Sequence, residues 1–276
     1  MSDRHTSIDS LRDFFSRPVP QITGDPSAAD RVEQALDALE VGTIRAATPQ
    51  ADGTWQAHRW VKQVILAAFS LSTLVEFAGW PGGAVDKSLV PARRFTLEQG
   101  VRVVPGGSSI RRGSHVGGGV VVMPPSYINV GAYVAGGSMI DSHVLVGSCA
   151  QVGADVHLSA SVQLGGVLEP VGARPVVVED QAFIGAQCGL FEGVVIRARA
   201  VLAPAVTLTA TTTIYDLVHG RTVVGEVPAN AVVVPGSRPA GGDFAREHGL
   251  SLYAPCIVKY RDERTAAAVV LEDALR

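Results

Sequence analysis

A basic surplus is missing from this sequence. Its 23 Lys and Arg face 26 Asp and Glu, a formal charge of −3, so there is no electrostatic footprint for a polynucleotide or an anionic membrane. Rings are scarce as well: aromatics are 6% of the chain, and the core must be filled by aliphatic side chains. The cysteines, Cys149, Cys188 and Cys256, are odd in number and lack a CxxC spacing, which argues against a disulfide framework and fits reduced thiols used for packing. No apolar run approaches the roughly 18 residues of a membrane helix. The start, Met1-Ser2-Asp3-Arg4-His5, leads into no export-type apolar stretch, and a cytoplasmic protein is expected.

What the sequence has in quantity is small aliphatic side chains on a fixed period. Counting in sixes from Ile110 gives Val116, Val122, Ile128 and so on to Leu164, ten consecutive hits that are all Val, Ile or Leu. Two residues before each of the later nine stands a small or β-branched residue, from Ser114 and Val120 to Val162. The register breaks by two and resumes at Val178, running through Ile184, Leu190, Ile196, Leu202 and Leu208 to Ile214. A period of six fits neither a helix, whose apolar face recurs every 3.6 residues, nor the alternation of one long strand. It is the signature of a hexapeptide β-helix, in which three short strands make a triangular coil and stacked coils share one aliphatic core. Such prisms are left-handed, an exception to the usual crossover rule. Seventeen hexads give five to six coils, about 27 Å at a rise of ~4.8 Å per coil.

Three segments follow from this pattern. Residues 1–95 read as an α-rich cap, with one helix from Ala28 to Leu39 stopped at Val41-Gly42 and a second from Trp60 to about Leu74. Residues 96–236 read as the β-helix, whose last coil is Val227–Pro235; residues 165–177, with two prolines, form a loop thrown out of a coil. Residues 237–276 read as an extension: a mobile Gly241-Gly242 stretch, a strand from Leu252 to Tyr260 and a terminal helix from about Glu263 to Leu275.

A flat-faced prism has no internal cavity, so a site must form between copies or under loops, and a trimer with clefts at its subunit boundaries is expected. Arg102-Val103-Val104-Pro105, MPPSYINVGAYV (Met123–Val134), Met139-Ile140-Asp141, VGSCAQVG (Val146–Gly153), VHLS (Val156–Ser159) and GGVLEP (Gly165–Pro170) occur in that order. Together with DGTWQAHRWVKQVILAAF (Asp52–Phe69), Ile214-Tyr215-Asp216, Ser251-Leu252-Tyr253 and Ile257-Val258-Lys259, this set resembles the tetrahydrodipicolinate N-succinyltransferase family over nearly the whole chain. The resemblance implies an acyltransferase that uses a coenzyme A thioester and no metal, acting on the amine of an amino dicarboxylate, 2-amino-6-oxopimelate. Arg102 matches the family's substrate arginine, a fork suited to a carboxylate. Asp141 matches its substrate-binding aspartate and is expected to hold the amine and to take its proton during attack on the thioester.

One departure stands against these matches. After Phe183-Ile184-Gly185-Ala186 the family reads Arg-Ser-Glu where this chain reads Gln187-Cys188-Gly189, so the family's second acidic position falls on Gly189 and is lost; Glu192 matches a separate family glutamate. Succinyl carries a carboxylate that needs donors and acetyl carries none. The reading is therefore acetyl-CoA as donor, with succinyl-CoA and lysine biosynthesis as the alternative, and a paralogue of a tabtoxin-type pathway is the expectation. For the cofactor, Ala203 and Ala205 would let pantetheine approach the backbone, and Arg238 and Lys259 would meet CoA phosphates.

Three other readings compete. Hexapeptide O-acetyltransferases use one His as base, which makes His143 and His157 candidates, His157 reading as structural and His143 as secondary. A zinc hydrolase would need converging histidines, and His115, His143 and His157 have no convincing spacing. A noncatalytic scaffold would need neither Arg102, Asp141 nor the loop.

Overall fold

The computed structural model describes residues 7–79 and 82–262. Two-residue strands, each ending on the aliphatic residue of a hexad, stack into three parallel walls. The first face runs from Arg102–Val103 up to Ala231–Val234, the second from Ser109–Ile110 to Thr207–Leu208, and the third from His115–Val116 to Glu226–Val227. Tyr133 pairs with Gln151 and Met139 with His157, so each coil advances by three hexads, as the sequence period requires. The result is a left-handed β-helix. Its core holds the aliphatic positions together with the small ones, such as Ser114, Ser138, Val162 and Cys188, all fully buried. Corners need a left-handed residue, and among the described residues ten non-glycine ones adopt one, with φ from 53° at Asp155 to 68° at Cys149.

Among the described residues the cap carries α1 (Ile8–Phe15), α2 (Val19–Thr23), α3 (Ala28–Val41) and α4 (Arg59–Leu71). Gly42, at φ 86°, ends α3 where the sequence placed the stop. The second helix ends at Leu71, three residues short of the expected Leu74. Ser72 turns extended and its hydroxyl donates to the Ala68 carbonyl, and Leu74 starts a hairpin with Val85–Lys87. Helices α1 and α2 and the hairpin Ala47–Pro49/Trp55–Ala57 carry no strong sequence signal. Cap and prism share a second core, in which Leu36, Val61 and Ile65 meet Val130 and Cys149 at a coil corner.

Four further expectations meet the structure. The chain leaves the coil near the expected 165–177 loop, since Gln151 pairs with Val177, eight residues beyond the eighteen-residue repeat, but Val177 is itself strand, so the excursion ends at residue 176. It does not stand free: Leu168 joins the cap core, and the buried Lys62 of α4 donates to the Ala173 carbonyl at 2.6 Å. Ile214 is buried, but its strand, Thr213–Asp216, leaves the coil to form an antiparallel hairpin with Arg221–Val224, turned at Gly220. Glu226–Val227 takes the vacant place above Val195–Ile196. The strand expected from Leu252 to Tyr260 is two, because Pro255 lacks the N–H a continuous ladder would need. Ser251–Tyr253 pairs with Ser237–Pro239, and Cys256–Tyr260 pairs with Ala231–Val234. A short α5 (Asp243–Glu247) follows Gly241-Gly242, and the terminal helix expected at 263–275 lies outside the described residues. No helix among the described residues is long and apolar enough to cross a membrane. Cys149 and Cys188 are buried packing residues, and burial pushes both thiols up to about 12.

Candidate functional site

The edge between the first and second faces collects most of the residues singled out from sequence. Each coil crosses it with the same short turn, so positions eighteen residues apart stack into columns. One column holds Met123, Asp141, Ser159, Gly185 and Ala203, and its neighbour holds His143, Ser161, Gln187 and Ala205, all four with φ between 60° and 64°. Each left-handed residue donates its N–H to the coil before it: His143 to Pro125, Ser161 to Ser142, Gln187 to Ala160 and Ala205 to Ala186. The edge is thus rigid and its side chains are set at a rise of ~4.8 Å.

Asp141 follows the strand Met139–Ile140 and is half-buried. One carboxylate oxygen accepts the Ser142 N–H at 2.7 Å, and the backbone carbonyl accepts the Ser126 hydroxyl at 2.7 Å. Arg102 is exposed on the same face, where Arg102 pairs with Val121 and Val121 with Met139. Two rungs of ~4.8 Å separate the Arg102 and Met139 strands by about 10 Å along the prism axis. His157 sits one rung beyond Met139, its ring centroid 5.0 Å from that of Phe183. Burial pulls its pKa below the usual imidazole value, and the Asp141 charge works against that. His143 is exposed, and its carbonyl accepts the Gln163 side-chain amide at 3.2 Å.

The departure at 187–189 takes a definite form. Gln187 stands in the edge column, Cys188 points into the core with its thiol donating to the Ala203 carbonyl, and Gly189 lies in the second face between Gln163 and Thr207. An added Cβ on Gly189 would lie 2.6 Å from Cε2 of Phe191, and one on Gly165 would lie 2.7 Å from Cδ1 of the same ring. Phe191 therefore covers two glycines of adjacent coils. Glu192 sits at the next edge, with φ 55°, and does not replace an acid at 189.

At the far end of the edge, Tyr253 accepts the Thr207 N–H on its hydroxyl at 2.9 Å, which seats the hairpin Ser237–Pro239/Ser251–Tyr253 beside the last coil. Arg238 is exposed on that hairpin, near the end where Ala205 is exposed in the edge column. Ala203 is fully buried, so its side chain offers no surface in the single chain. Lys259 pairs with Val232 at the end of the first face. Asp141, His143, Gln187 and Ala205 are thus brought onto one edge, with Arg102 on its flanking face. Phe191 and Tyr253 were given no role by sequence reasoning. The signal available for Phe191 was a large ring two residues after Gly189 on a strand of alternating sides.

Two concavities of about 540 and 630 Å³ lie away from this edge, one lined by Arg93, Arg94, Arg111 and Tyr127, the other by Arg12, His58, Arg59 and Gln63. Neither contains Arg102 or Asp141. Among the described residues no three His, Cys, Asp or Glu side chains come together as a metal site.

Comparison with known proteins adds the following. A family profile described as tetrahydrodipicolinate N-succinyltransferase N-terminal matches residues 18–71, and one described as hexapeptide repeat of succinyl-transferase matches residues 175–210. The chain is 44% identical over 253 residues to the 2,3,4,5-tetrahydropyridine-2,6-dicarboxylate N-succinyltransferase of Afipia carboxidovorans, covering 90% of this chain and 89% of that one. It is 43% identical over 270 residues to the protein of the same name from Rhodopseudomonas palustris, covering 95% of both. Among solved structures, a Campylobacter jejuni protein described as a 2,3,4,5-tetrahydropyridine-2-carboxylate N-succinyltransferase superimposes with a TM-score of 0.52 at 14% identity, over 91% of this chain; the chain spans 65% of that protein's length, and the likeness is one of fold. These relatives are named for succinyl transfer, and the acetyl-CoA preference expected from Gln187-Cys188-Gly189 is not shown by them.

Proposed function

The chain belongs to the tetrahydrodipicolinate N-succinyltransferase family, and from that premise we propose that it transfers the succinyl group of succinyl-CoA to the amine of 2-amino-6-oxopimelate, the ring-opened form of tetrahydrodipicolinate, in lysine biosynthesis. The observation that carries the reading is the placement of Asp141 on one continuous edge of the prism with Arg102 on the face that flanks it. Arg102 binds a carboxylate of the acceptor through its planar fork. Asp141, with one oxygen held by the Ser142 N–H, presents the other to the amine. The thioester lies along the edge, where Ala205 leaves room beside the backbone and Arg238 and Lys259 supply charge for the CoA phosphates. The N–H groups of Ala160 and Ala186 have no acceptor among the described residues and are the donors available to the developing oxyanion. A homotrimer, with each edge closed by the wall of a second copy, supplies the missing side of the cleft.

A second reading, acetyl-CoA as donor in a secondary-metabolite branch, rests on the apolar cover that Phe191 forms over Gly189. The deciding experiment is free-thiol release with 2-amino-6-oxopimelate or its cyclic form, comparing succinyl-CoA and acetyl-CoA side by side. Faster turnover of succinyl-CoA is the expected result. Preference for acetyl-CoA would select the second reading, and silence with both would overturn the acceptor as well as the donor.

A further inference from the structure

The described histidines divide into two groups. Four engage a ring nitrogen: His58 with the Thr48 hydroxyl, His115 with the Glu40 carbonyl, His219 with Asp216 and His248 with the Phe244 carbonyl, at 2.8 to 2.9 Å. The rings of His143 and His157 have no hydrogen-bond partner among the described residues, and both flank Asp141. Unengaged ring nitrogens beside a carboxylate on an outer wall are what a proton acceptor requires. The two differ in how they are held. His143 is exposed at a corner, with solvent around its ring. His157 is half-buried in the first face, seated against Phe183 at an interplanar angle of 31°.

We propose that His157 is the general base that takes the proton from the attacking amine, with Asp141 orienting that amine toward it. The proposal rests on the acyl-transfer reading above and assigns the one role that reading leaves open. In the step, the amine nitrogen forms a bond to the thioester carbonyl carbon, the carbon–sulfur bond breaks, and the nitrogen loses one proton to a ring nitrogen of His157. The CoA sulfur leaves as thiolate and regains that proton, so the products are the amide and free CoA. The surroundings suit the role. The strands on either side of His157 present Met139 and Phe183, which do not titrate, so Asp141 is the charged group that faces it, with His143 beyond on the same corner. Burial shifts the imidazole below its ordinary pKa, against the pull of the Asp141 charge, and so favours the neutral form that accepts a proton.

The test is the pH profile of kcat/KM with succinyl-CoA and 2-amino-6-oxopimelate for the wild-type protein, His157→Gln and His143→Asn. The wild type is expected to lose activity as pH falls through a pKa below about 6.5. His157→Gln should lower kcat/KM at least a hundredfold and abolish that acidic limb, with less than a threefold change in KM for the acceptor. His143→Asn should keep more than a tenth of the rate and the same limb. A His157→Gln protein that keeps more than a third of the wild-type value, or that is slower with its acidic limb intact, overturns the assignment. So does a wild-type profile that is flat from pH 5 to 8, a measurement independent of whether any variant folds. Wild-type protein silent with both acyl donors would refute the acyl-transfer reading itself, whereas active wild type matched by His157→Gln would refute only the role of His157.

Discussion

Restoring an acid at position 189 tests what the Gln187–Gly189 departure means physically. In Gly189→Glu the new Cβ would come within 2.6 Å of Cε2 and 3.2 Å of Cζ of Phe191, so the ring must move. Its way out is rotation into solvent, and the cost is bounded by the apolar contact it gives up, about 1–2 kcal/mol for a half-buried ring. Against this, Gly189 is extended strand, and replacing a glycine there recovers about 0.5–1 kcal/mol of backbone entropy. The single variant should therefore be less stable than wild type by up to about 1.5 kcal/mol. In a Phe191→Val background the collision is gone and the same substitution should be neutral or stabilising. The double-mutant cycle then yields a coupling of about 1–2 kcal/mol, well outside the few tenths expected of independent sites. Urea unfolding of the four proteins at one fixed concentration measures it, since oligomerisation makes apparent stability concentration-dependent. A coupling under about 0.5 kcal/mol would refute the claim that Phe191 occupies the space of the lost side chain. Thiol release by the same four proteins reads the functional side: a change in the succinyl-to-acetyl ratio confined to the double variant ties donor choice to the acid, which has room only there.

Arg102→Lys should raise KM for the acceptor at least tenfold with little change in KM for CoA, because an ammonium cannot reproduce a bidentate carboxylate grip; steady-state kinetics against both substrates decide it. Lys62→Met should leave the Ala173 carbonyl without its donor and speed amide exchange in residues 166–174 about five- to tenfold, the loss of roughly one hydrogen bond, read by hydrogen–deuterium exchange. Asp216, whose side chain is fully buried, accepts from the Tyr260 hydroxyl, the His219 ring and Arg221, and these hold its carboxyl well below the usual carboxylate range. A depressed pKa contributes stability that is present above the unfolded value of about 3.9 and is lost as pH falls below it. The difference in urea midpoint between wild type and Asp216→Asn should accordingly shrink from pH 5 to pH 3, and a constant difference would refute the assignment.

The prism was legible because its signal is repeated. Every coil satisfies its backbone and buries its Val, Ile or Leu against the next, so one six-residue rule acts seventeen times along the sequence and errors in any one position do not hide it. The rule failed where one hexad hit, Ile214, satisfied the pattern while the chain turned outward: its strand found an antiparallel partner in Arg221–Val224, and a third-face position was filled by Glu226–Val227 instead. The missed hairpins of the cap are three-residue strands, too short to show alternation. Of the site, Arg102 and Asp141 could be named from their motifs, and the stacking of Asp141, His143, Gln187 and Ala205 follows from the period once the coil is known.

By itself, then, the sequence determined the coil, its core and the order of residues along each edge, because those depend on contacts between neighbours at a fixed spacing. Only the tertiary structure decided that the loop at 165–177 is clamped to α4 through Lys62, that Phe191 covers two glycines from adjacent coils, and that His157 alone among the half-buried histidines keeps both ring nitrogens unengaged. Such facts depend on side-chain direction and on contacts between residues as many as 111 positions apart, where no local period records which partner a side chain meets.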